Sequence, residues 1–141
     1  MIDVSGKDIT LRYARAEGWL EAGPEALEHV RNGTVPKGDV PATARAAGIA
    51  AGKRCSEWMV FCQPIPLDWV DVSVEVEGDR LHVVAEVKSN WRTGVEMEAV
   101  TAVSGALLNA YDMLKPIDKD MTMSGIRVLE KRGGKSDGAP A

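Results

Sequence analysis

Two runs of alternating residues on either side of a Gly-Asp turn constrain the fold of this chain most strongly. From position 70 to 77 every second residue is a valine, and the residues between them are acidic or serine. After the turn at 78–79, apolar residues recur at every second position from 81 to 87. A period of two is typical of a strand that buries one face, and a glycine-containing turn joins two such strands in a hairpin. The sequence therefore predicts an antiparallel hairpin near the middle of the chain.

Helix and strand signals flank this hairpin in a fixed order. Pro24 and Gly33 delimit a short helix, and Asp39 caps a second one, since proline near a helix start and glycine past its end are the expected signals. We predict strands over residues 10–20 and 126–131 and helices over 24–32, 39–57 and about 94–115. The order β-α-α-β-β-α-β predicts an α+β fold, a two-layer ferredoxin-like sandwich with an antiparallel sheet covered by helices.

The predicted helix 39–57 is unusually rich in small side chains. Its positions 44, 47, 48, 51 and 52 are all alanine or glycine. Each glycine in a helix costs roughly 1 kcal/mol relative to alanine. We expect close packing against the sheet or another helix as the compensation.

Length, composition and charge indicate one domain and exclude some classes of partner. The 141 residues suit a single domain over 1–141, with 1–8 and 132–141 expected to be flexible. Apolar residues make up 45% but aromatic residues only 5%, so the core must be mostly aliphatic. A net charge of -4 argues against a nucleic-acid partner. A small anionic ligand needs only a local cluster of cations and stays compatible with that charge.

Cysteine usage and hydropathy predict a reduced, cytoplasmic protein without a metal site. Neither Cys55 nor Cys62 belongs to a C-x-x-C motif, and no histidine follows at zinc spacing. The first 20 residues carry acids and lack a continuous apolar run, so we predict no signal peptide. No apolar stretch has the length that a membrane span requires, so no membrane partner is expected.

The segment 93–99 is the strongest candidate for reading a ligand. Glu96 and Glu98 stand on either side of Met97, where a glycine turn becomes the long helix. Carboxylates at a helix start can accept hydrogen bonds from a polar ligand. Two structural alternatives remain open: Thr93-Gly94-Val95-Glu96 also fits a capping box, and Glu98 fits a solvated helix residue.

The end of the same helix offers a second candidate. Asp112 and Lys115 are three residues apart and share one helix face. They are either an ordinary surface ion pair, worth about 0.3–0.5 kcal/mol, or an acid/base pair beside a helix C-terminus that favours the charged lysine. Lys37 lies between a proline and a glycine just before a predicted helix. Such a lysine is either solvated or part of a phosphate or proton-donor site.

Other residues carry weaker signals. Lys53 ends the small-sided helix and is typical of a surface position, and Cys62 is typical of a buried small side chain. Gln63 can donate and accept hydrogen bonds but cannot titrate. The tail 133–136, Gly-Gly-Lys-Ser, suggests a phosphate loop, but that motif requires glycine where Leu129 stands, and no helix follows. A mobile cationic flap is the better interpretation.

Taken together, these segments resemble the cyclic pyranopterin monophosphate synthase family, the C proteins of molybdenum-cofactor biosynthesis. Each match is modest by itself, but the set spans nearly the whole chain in order, which makes it specific. The matching pieces are Asp3-Val4-Ser5-x-Lys7, Thr10-x-Arg12, Lys37-Gly38-Asp39-Val40, Ala42-x-Ala44-Arg45, Lys53-Arg54, Cys62-x-Pro64, residues 93–99, Tyr111-Asp112-Met113-x-Lys115 and Lys131-x-Gly133-Gly134-Lys135-Ser136.

The resemblance implies an activity, an assembly and an α+β fold like the one predicted. Members convert 3′,8-cyclo-7,8-dihydroguanosine 5′-triphosphate, a small GTP-derived substrate, to cyclic pyranopterin monophosphate and release pyrophosphate. The chain is thus expected to be a phosphorus–oxygen lyase of molybdopterin biosynthesis. The resemblance also implies a homo-hexamer, a trimer of dimers, with active sites at subunit interfaces. No redox cofactor is implied, and Mg²⁺ bound with the pyrophosphate group is compatible with that chemistry.

The resemblance also assigns roles to the candidate residues. Lys37, Asp112 and Lys115 match the catalytic acid/base group, which would move protons while a ribose-derived skeleton opens and recloses. The resemblance implies that the ammonium groups at 37, 53, 115 and 131 gather around one hollow with Asp112. The positions that match substrate-binding residues are Arg12 from a neighbouring subunit, Lys53, Cys62, Gln63, Glu96, Met97, Glu98 and Lys131.

One position departs from the family pattern. Gln63 stands where the family typically has histidine, so this position keeps hydrogen bonding and loses ionisation. The main hypothesis is an active lyase. The alternatives are a catalytically impaired homologue that binds a purine nucleotide, and a purely structural oligomer whose carboxylates and lysines are caps and surface pairs.

Overall fold

The computed structural model describes residues 1–134, which form a four-stranded sheet with two long helices packed on one face. In chain order the elements are β1 (Thr10–Glu21), α1 (Pro24–Asn32), α2 (Val40–Lys53), α3 (Cys55–Trp58), β2 (Trp69–Glu77), β3 (Arg80–Trp91), α4 (Glu96–Leu114) and β4 (Thr122–Arg132). The strand order is β2-β3-β1-β4, and every neighbouring pair is antiparallel. With α1 and α3 set aside, the order is the βαββαβ of ferredoxin-like folds. The predicted α+β class is confirmed.

The predicted second helix is interrupted. It was expected to run to about Glu57, but α2 ends at Lys53, and the backbone of Arg54 has φ -110° and ψ 19°. The separate turn α3 then begins at Cys55, whose side chain is buried. The expected flexibility of residues 1–8 and 132–141 stays a prediction, and residues 135–141, with the predicted flap lysine and serine, lie outside the described residues.

The small side chains of α2 allow α4 to pack directly against it, as predicted. A Cβ atom on Gly48 would lie 2.8 Å from the backbone oxygen of Ala102, and one on Gly105 would lie 2.5 Å from Cβ of Ala51. Both distances are too short for ordinary van der Waals contact. The two helices therefore pack closely through backbone and methyl contacts. This close packing fixes the position of α4 relative to α2.

The sheet face opposite the helices carries a polar network around Glu17. The Glu17 carboxylate accepts a hydrogen bond from Arg127 Nε at 2.7 Å, and His82 Nε2 lies 2.8 Å from its other oxygen. The His82 ring stacks on Trp19 with 3.8 Å between centroids. Burial would raise the pKa of Glu17, but the hydrogen bonds from Arg127 and His82 outweigh it, so the pKa is lowered. The network joins β1 to both of its neighbours.

Among the helices between residues 1 and 134, none has the length and apolar character that a membrane span requires.

Candidate functional site at the two ends of α4

The candidate residues fall at opposite ends of one helix. Glu96, Met97 and Glu98 open α4, and Asp112 lies in its last turn. At about 1.5 Å per residue, Glu96 and Asp112 are roughly 24 Å apart along the helix axis. We call Lys37, Asp112 and Lys115 the C-terminal cluster, and Lys53, Glu96, Glu98 and Lys131 the N-terminal cluster.

The C-terminal cluster is built on one carboxylate that binds two ammonium groups. Lys37 Nζ lies 3.1 Å from Asp112 Oδ2 and also donates to the Asp112 backbone oxygen at 3.1 Å. Lys115 Nζ lies 2.8 Å from Asp112 Oδ1. The Lys37 side chain reaches Asp112 from the loop before α2, which is 75 residues away in sequence. The structure thus brings together the three residues that the sequence named as an acid/base group.

The charges of this cluster do not balance. Hydrogen bonds from Lys115 and then from Lys37 lower the pKa of Asp112, and the bond to Asp112 raises the pKa of Lys115. The cluster brings two lysine side chains to one carboxylate, and all three side chains are about half exposed. The surface-pair alternative named only Lys115 as a partner of Asp112, and the structure adds Lys37. The arrangement can attract an anion and can supply protons from either lysine.

At the other end of α4, Glu96 contacts Lys131 from β4. The distance between Lys131 Nζ and Glu96 Oε1 is 3.7 Å, with both side chains about one-third exposed. The capping-box alternative for Glu96 is wrong. The N-cap residue of α4 is Val95 rather than Thr93, and no side chain among residues 1–134 forms a capping hydrogen bond at this helix start. Met97 is partly exposed beside them.

Glu98 is buried in the wall of a pocket. Its side chain is only 3% exposed, so the alternative of a solvated helix residue is wrong. The pocket has a volume of about 360 Å³ and is also lined by Lys53, Cys55 and the Pro64-Ile65-Pro66 segment. Burial raises the pKa of Glu98 above the ordinary value for a glutamate. A carboxyl group and an ammonium group thus face one small cavity.

The loop before β2 holds Gln63 against the start of the chain. Gln63 Nε2 donates a hydrogen bond to the backbone oxygen of Ile2 at 2.5 Å. Cys62 is half-buried rather than fully buried, because it lies in the turn that α3 leads into. Gln63 therefore has a structural contact of its own that the sequence did not predict.

Arg12 lies on β1, close to the end of β4. Its Nη2 atom donates to the backbone oxygen of Arg92 at 3.5 Å. Gly133 and Gly134 both have positive φ angles, 99° and 70°. A side chain at Gly134 would collide with the Arg12 guanidinium group. The two glycines thus let the chain pass closely around Arg12.

Within residues 1–134 of a single chain, the four predicted ammonium groups do not meet in one hollow. Lys37 and Lys115 share Asp112, whereas Lys131 and Lys53 lie near the start of α4. The same part of the chain has no group of three or more His, Cys, Asp or Glu side chains that could hold a metal ion.

Two residues of the site were not singled out from the sequence. Thr101 Oγ1 donates a hydrogen bond to Cys55 Sγ at 3.5 Å, and Cys55 lines the same pocket as Glu98. Cys55 carried no motif, and Thr101 lies in a run of small residues that resembles ordinary core. The break in α2 that turns Cys55 inward leaves no signal in the pattern of apolar residues.

Comparison with known proteins identifies close relatives. The model of the MoaC family matches residues 1–134. The chain is 47% identical over 138 residues to a probable cyclic pyranopterin monophosphate synthase of Sulfolobus acidocaldarius, covering 93% of this chain and 96% of that protein. It is 48% identical over 136 residues to the cyclic pyranopterin monophosphate synthase of Streptomyces avermitilis, covering 96% and 80%. It is 50% identical over 137 residues to cyclic pyranopterin monophosphate synthase 3 of Mycobacterium tuberculosis, covering 96% and 77%.

Proposed function

Because the chain belongs to the MoaC family, we propose that it is a cyclic pyranopterin monophosphate synthase. It is an enzyme that converts 3′,8-cyclo-7,8-dihydroguanosine 5′-triphosphate to cyclic pyranopterin monophosphate, with release of pyrophosphate. The observation that carries this proposal is the match over residues 1–134, together with relatives at 47–50% identity that bear this name. The resemblance found in the sequence is confirmed.

The C-terminal cluster supplies the acid/base chemistry in this proposal. The reaction must deliver protons to the rearranging skeleton and remove others. Asp112 holds Lys37 and Lys115 as cations at defined positions, 3.1 and 2.8 Å from its two oxygens. Either lysine can then donate a proton to the substrate and be held in place as a neutral base afterwards. The excess positive charge also stabilises negative charge that develops as pyrophosphate leaves.

The N-terminal cluster binds the substrate. Glu96 and Glu98 can accept hydrogen bonds from the N–H groups of a purine-derived ring, and Met97 offers an apolar contact beside them. In this proposal, Lys53 and Lys131 contact phosphate oxygens of the substrate. In this proposal, Arg12 reaches the site from a neighbouring subunit, and Cys62 belongs to the loop beside the substrate.

The two clusters work together only if they come from different copies of the chain. They lie roughly 24 Å apart along α4, which is too far for one small substrate to bridge. A dimer that places the end of α4 from one copy beside the start of α4 from the other would unite them. We therefore also propose that the active form is the homo-hexamer, a trimer of dimers, that the resemblance implies.

A direct assay tests the activity. Incubation of the purified protein with the cyclised dihydro-GTP should release pyrophosphate and yield cyclic pyranopterin monophosphate. If the substrate binds saturably but no pyrophosphate appears, the protein is the impaired homologue. If nothing binds, the purely structural alternative is correct.

Mixing two inactive variants tests the composite site. Lys115→Ala disables the C-terminal cluster, and Lys131→Ala disables the N-terminal cluster. In a dimer with one copy of each variant, one of the two sites combines the two undamaged clusters and is intact. At equal mixing and random reassembly, about a quarter of wild-type activity should return, because half of the two-fold dimers are mixed and each has one good site of two. The control pair Lys37→Ala with Lys115→Ala damages one cluster twice and should not recover. Equal failure of both pairs, with subunit exchange demonstrated, would contradict the composite site.

The substitution at Gln63 is tested by restoring the imidazole. Gln63→His should raise kcat if an ionisable group is needed there, whereas a purely orienting role predicts little change. A histidine N–H can still donate to the Ile2 oxygen, so the contact at this loop is preserved in either case. Gln63→Ala is the matched control, since its methyl side chain can neither ionise nor form a hydrogen bond.

Cofactor and location complete the proposal. We propose no redox cofactor, and Mg²⁺ would enter with the pyrophosphate group of the substrate. The two cysteines, Cys55 and Cys62, are both free thiols, which suits a reducing compartment such as the cytoplasm.

A further inference from the structure

The outer face of α4 is uncharged and mostly apolar between the two clusters. Five residues that are at least partly exposed form this face, which we call the outer stripe: Met97, Val100, Ser104, Leu108 and Tyr111. At 3.6 residues per turn they fall within an arc of about 80°. Met97 and Leu108 are 39% and 48% exposed. A surface helix normally carries charged and polar side chains on the face that points away from the core, so the stripe is typical of a surface that another molecule covers.

The spacing of the outer stripe is the same from either end. Successive members are 3, 4, 4 and 3 residues apart, with Ser104 at the centre. An interface between two identical copies across a two-fold axis uses the same patch twice, so the patch must be complementary to itself. Two antiparallel α4 helices crossing at Ser104 meet this requirement, because Val100 then packs against Leu108 of the second copy and Met97 against Tyr111 of the second copy.

Ser104 is suited to the centre of such a contact. Its side chain is small, so two helix axes can approach closely there. Its Oγ atom donates a hydrogen bond to the backbone oxygen of Val100 at 2.8 Å. The hydroxyl group therefore keeps a partner when the stripe is covered, and its burial does not leave an unsatisfied polar group.

The charges at the two ends of α4 favour the antiparallel arrangement. The first turn carries Glu96 and Glu98, whereas Lys37 and Lys115 surround Asp112 at the other end. Antiparallel pairing brings the acidic start of each helix beside the two lysines at the end of the other. The helix dipoles act in the same direction, since the positive end of each lies beside the negative end of the other.

We propose that the outer stripe of α4 is the docking surface for α4 of a second copy of this chain, antiparallel to it and centred on Ser104. The composite site that this pairing completes rests on the proposed function. Glu96 and Asp112 lie eight residues on either side of Ser104. The pairing therefore places the N-terminal cluster of each copy at the same level along the helices as the C-terminal cluster of the other.

A cysteine at the two-fold position tests the pairing directly. Packed helix axes about 8–10 Å apart bring two facing residues close enough for a disulfide, which spans about 4–7 Å between Cα atoms. Mild oxidation of assembled Ser104→Cys protein should link most chains into dimers, with the 104–104 peptide pair identified by mass spectrometry. Asn109→Cys is the matched control, because position 109 is exposed on the same helix but lies outside the stripe. It should form no such link, and the wild-type protein is the blank.

A charge within the outer stripe gives a second readout. Leu108→Glu should weaken self-association on the order of a hundredfold, because it would bury a carboxylate against Val100 of the second copy. Leu108 is about half exposed in the single chain, so the fold should persist, and circular dichroism checks this. Sedimentation velocity over a range of protein concentrations measures the association. Asn109→Glu adds the same charge one residue further on and should leave the assembly unchanged.

The outcomes separate the pairing from the proposed activity. If Ser104→Cys forms no 104–104 disulfide and folded Leu108→Glu sediments like the wild type, the pairing of α4 is wrong, even when the wild-type protein makes product. A wild-type protein that sediments as a monomer at assay concentrations would also contradict it. A 104–104 disulfide in a protein that binds and converts no substrate would overturn the proposed function instead, and the pairing would stand.

Discussion

Lys37 Nζ lies 3.1 Å from both the backbone oxygen and the side-chain Oδ2 of Asp112, although the two residues are 75 positions apart. Two acceptors on one residue hold the ammonium group in place more firmly than a single ion pair would. The loop before α2 and the last turn of α4 are thereby tied together. This contact depends on α4 being packed correctly against α2.

Asp112→Asn should reduce turnover without weakening the fold. The amide cannot hold two cations, so the pKa of Lys115, which Asp112 raises, should fall. The alkaline limb of the pH–rate profile should then move to lower pH, and kcat should drop on the order of a hundredfold. Steady-state kinetics across pH, with thermal melting as the stability check, would measure both effects.

The Arg45–Asp71 pair provides the matched control for that experiment. Its N–O distance is 2.7 Å and its side chains are about half exposed, as in the C-terminal cluster. Asp71→Asn should leave kcat unchanged. A comparable loss in both variants would mean that Asp112 acts only as a surface partner.

Glu98→Gln should stabilise the protein at neutral pH while reducing substrate binding. Folding raises the pKa of Glu98, so the contribution of this residue to wild-type stability is greatest below the ordinary carboxyl pKa of about 4.3 and is lost as pH rises through the folded-state value. The variant lacks this penalty. Urea unfolding should therefore show a higher midpoint for the variant at neutral pH, with the difference shrinking as pH falls.

Glu96→Gln is the control for Glu98→Gln. It shows whether the stabilisation is specific to the buried Glu98 or follows from removing any carboxylate of the N-terminal cluster. Glu96 is about one-third exposed, and its contact with Lys131 is long, so its replacement should change the midpoint little at either pH. A stabilisation of equal size in both variants, or one for Glu98→Gln that does not depend on pH, would contradict the prediction.

Gly105→Ala should destabilise the protein by about 1–3 kcal/mol, the typical range for overpacking a core. The new methyl group would meet Cβ of Ala51 at 2.5 Å, so α2 and α4 would have to separate. Equilibrium unfolding in urea measures the difference. Gly6→Ala is the comparison, because an added Cβ atom there has no neighbour within 4 Å among the described residues; equal stability of the two variants would show that the helices adjust freely.

Gly134→Ala should raise KM, whereas a glycine-to-alanine change with similar backbone strain elsewhere in the chain should not. A methyl group at this position collides with the Arg12 guanidinium group, which would be pushed from its place near the end of β4. Gly33→Ala has a similar φ angle, 66° against 70°, and no atom of residues 1–134 within 4 Å of the added carbon. The two variants should lose similar stability, and only the first should bind substrate more weakly in a kinetic assay.

The fold was largely predictable because the sheet and the helices have different apolar periods. The valines of β2 and the turn at 78–79 predicted the hairpin, and the small residues of α2 predicted its close packing. The break at Arg54 was not predictable, because no proline marks it and helical propensity continues through Cys55. The burial of Cys55 and its hydrogen bond with Thr101 favour the path that the chain takes there.

The candidate site was predictable in composition but not in arrangement. Lys37, Asp112 and Lys115 do meet, as expected. The burial of Glu98 was not evident, because a glutamate in the first turn of a helix is usually solvated. Gln63 was read as a change in chemistry, and its bond to the Ile2 oxygen shows that it also anchors the chain near its first residues, a contact that no local pattern encodes.

The length of α4 has a consequence for how sequences of this type can vary. Its 19 residues form a single helix, and in the proposed composite site its ends near Glu96 and Asp112 would each lie beside the opposite end of α4 from another copy. Deleting one residue between these two positions would shorten α4 by about 1.5 Å. It would also rotate the residues after the deletion by about 100° around the helix axis. If the site is composite as proposed, homologues should therefore keep the length of α4 constant and vary in length in their surface loops instead.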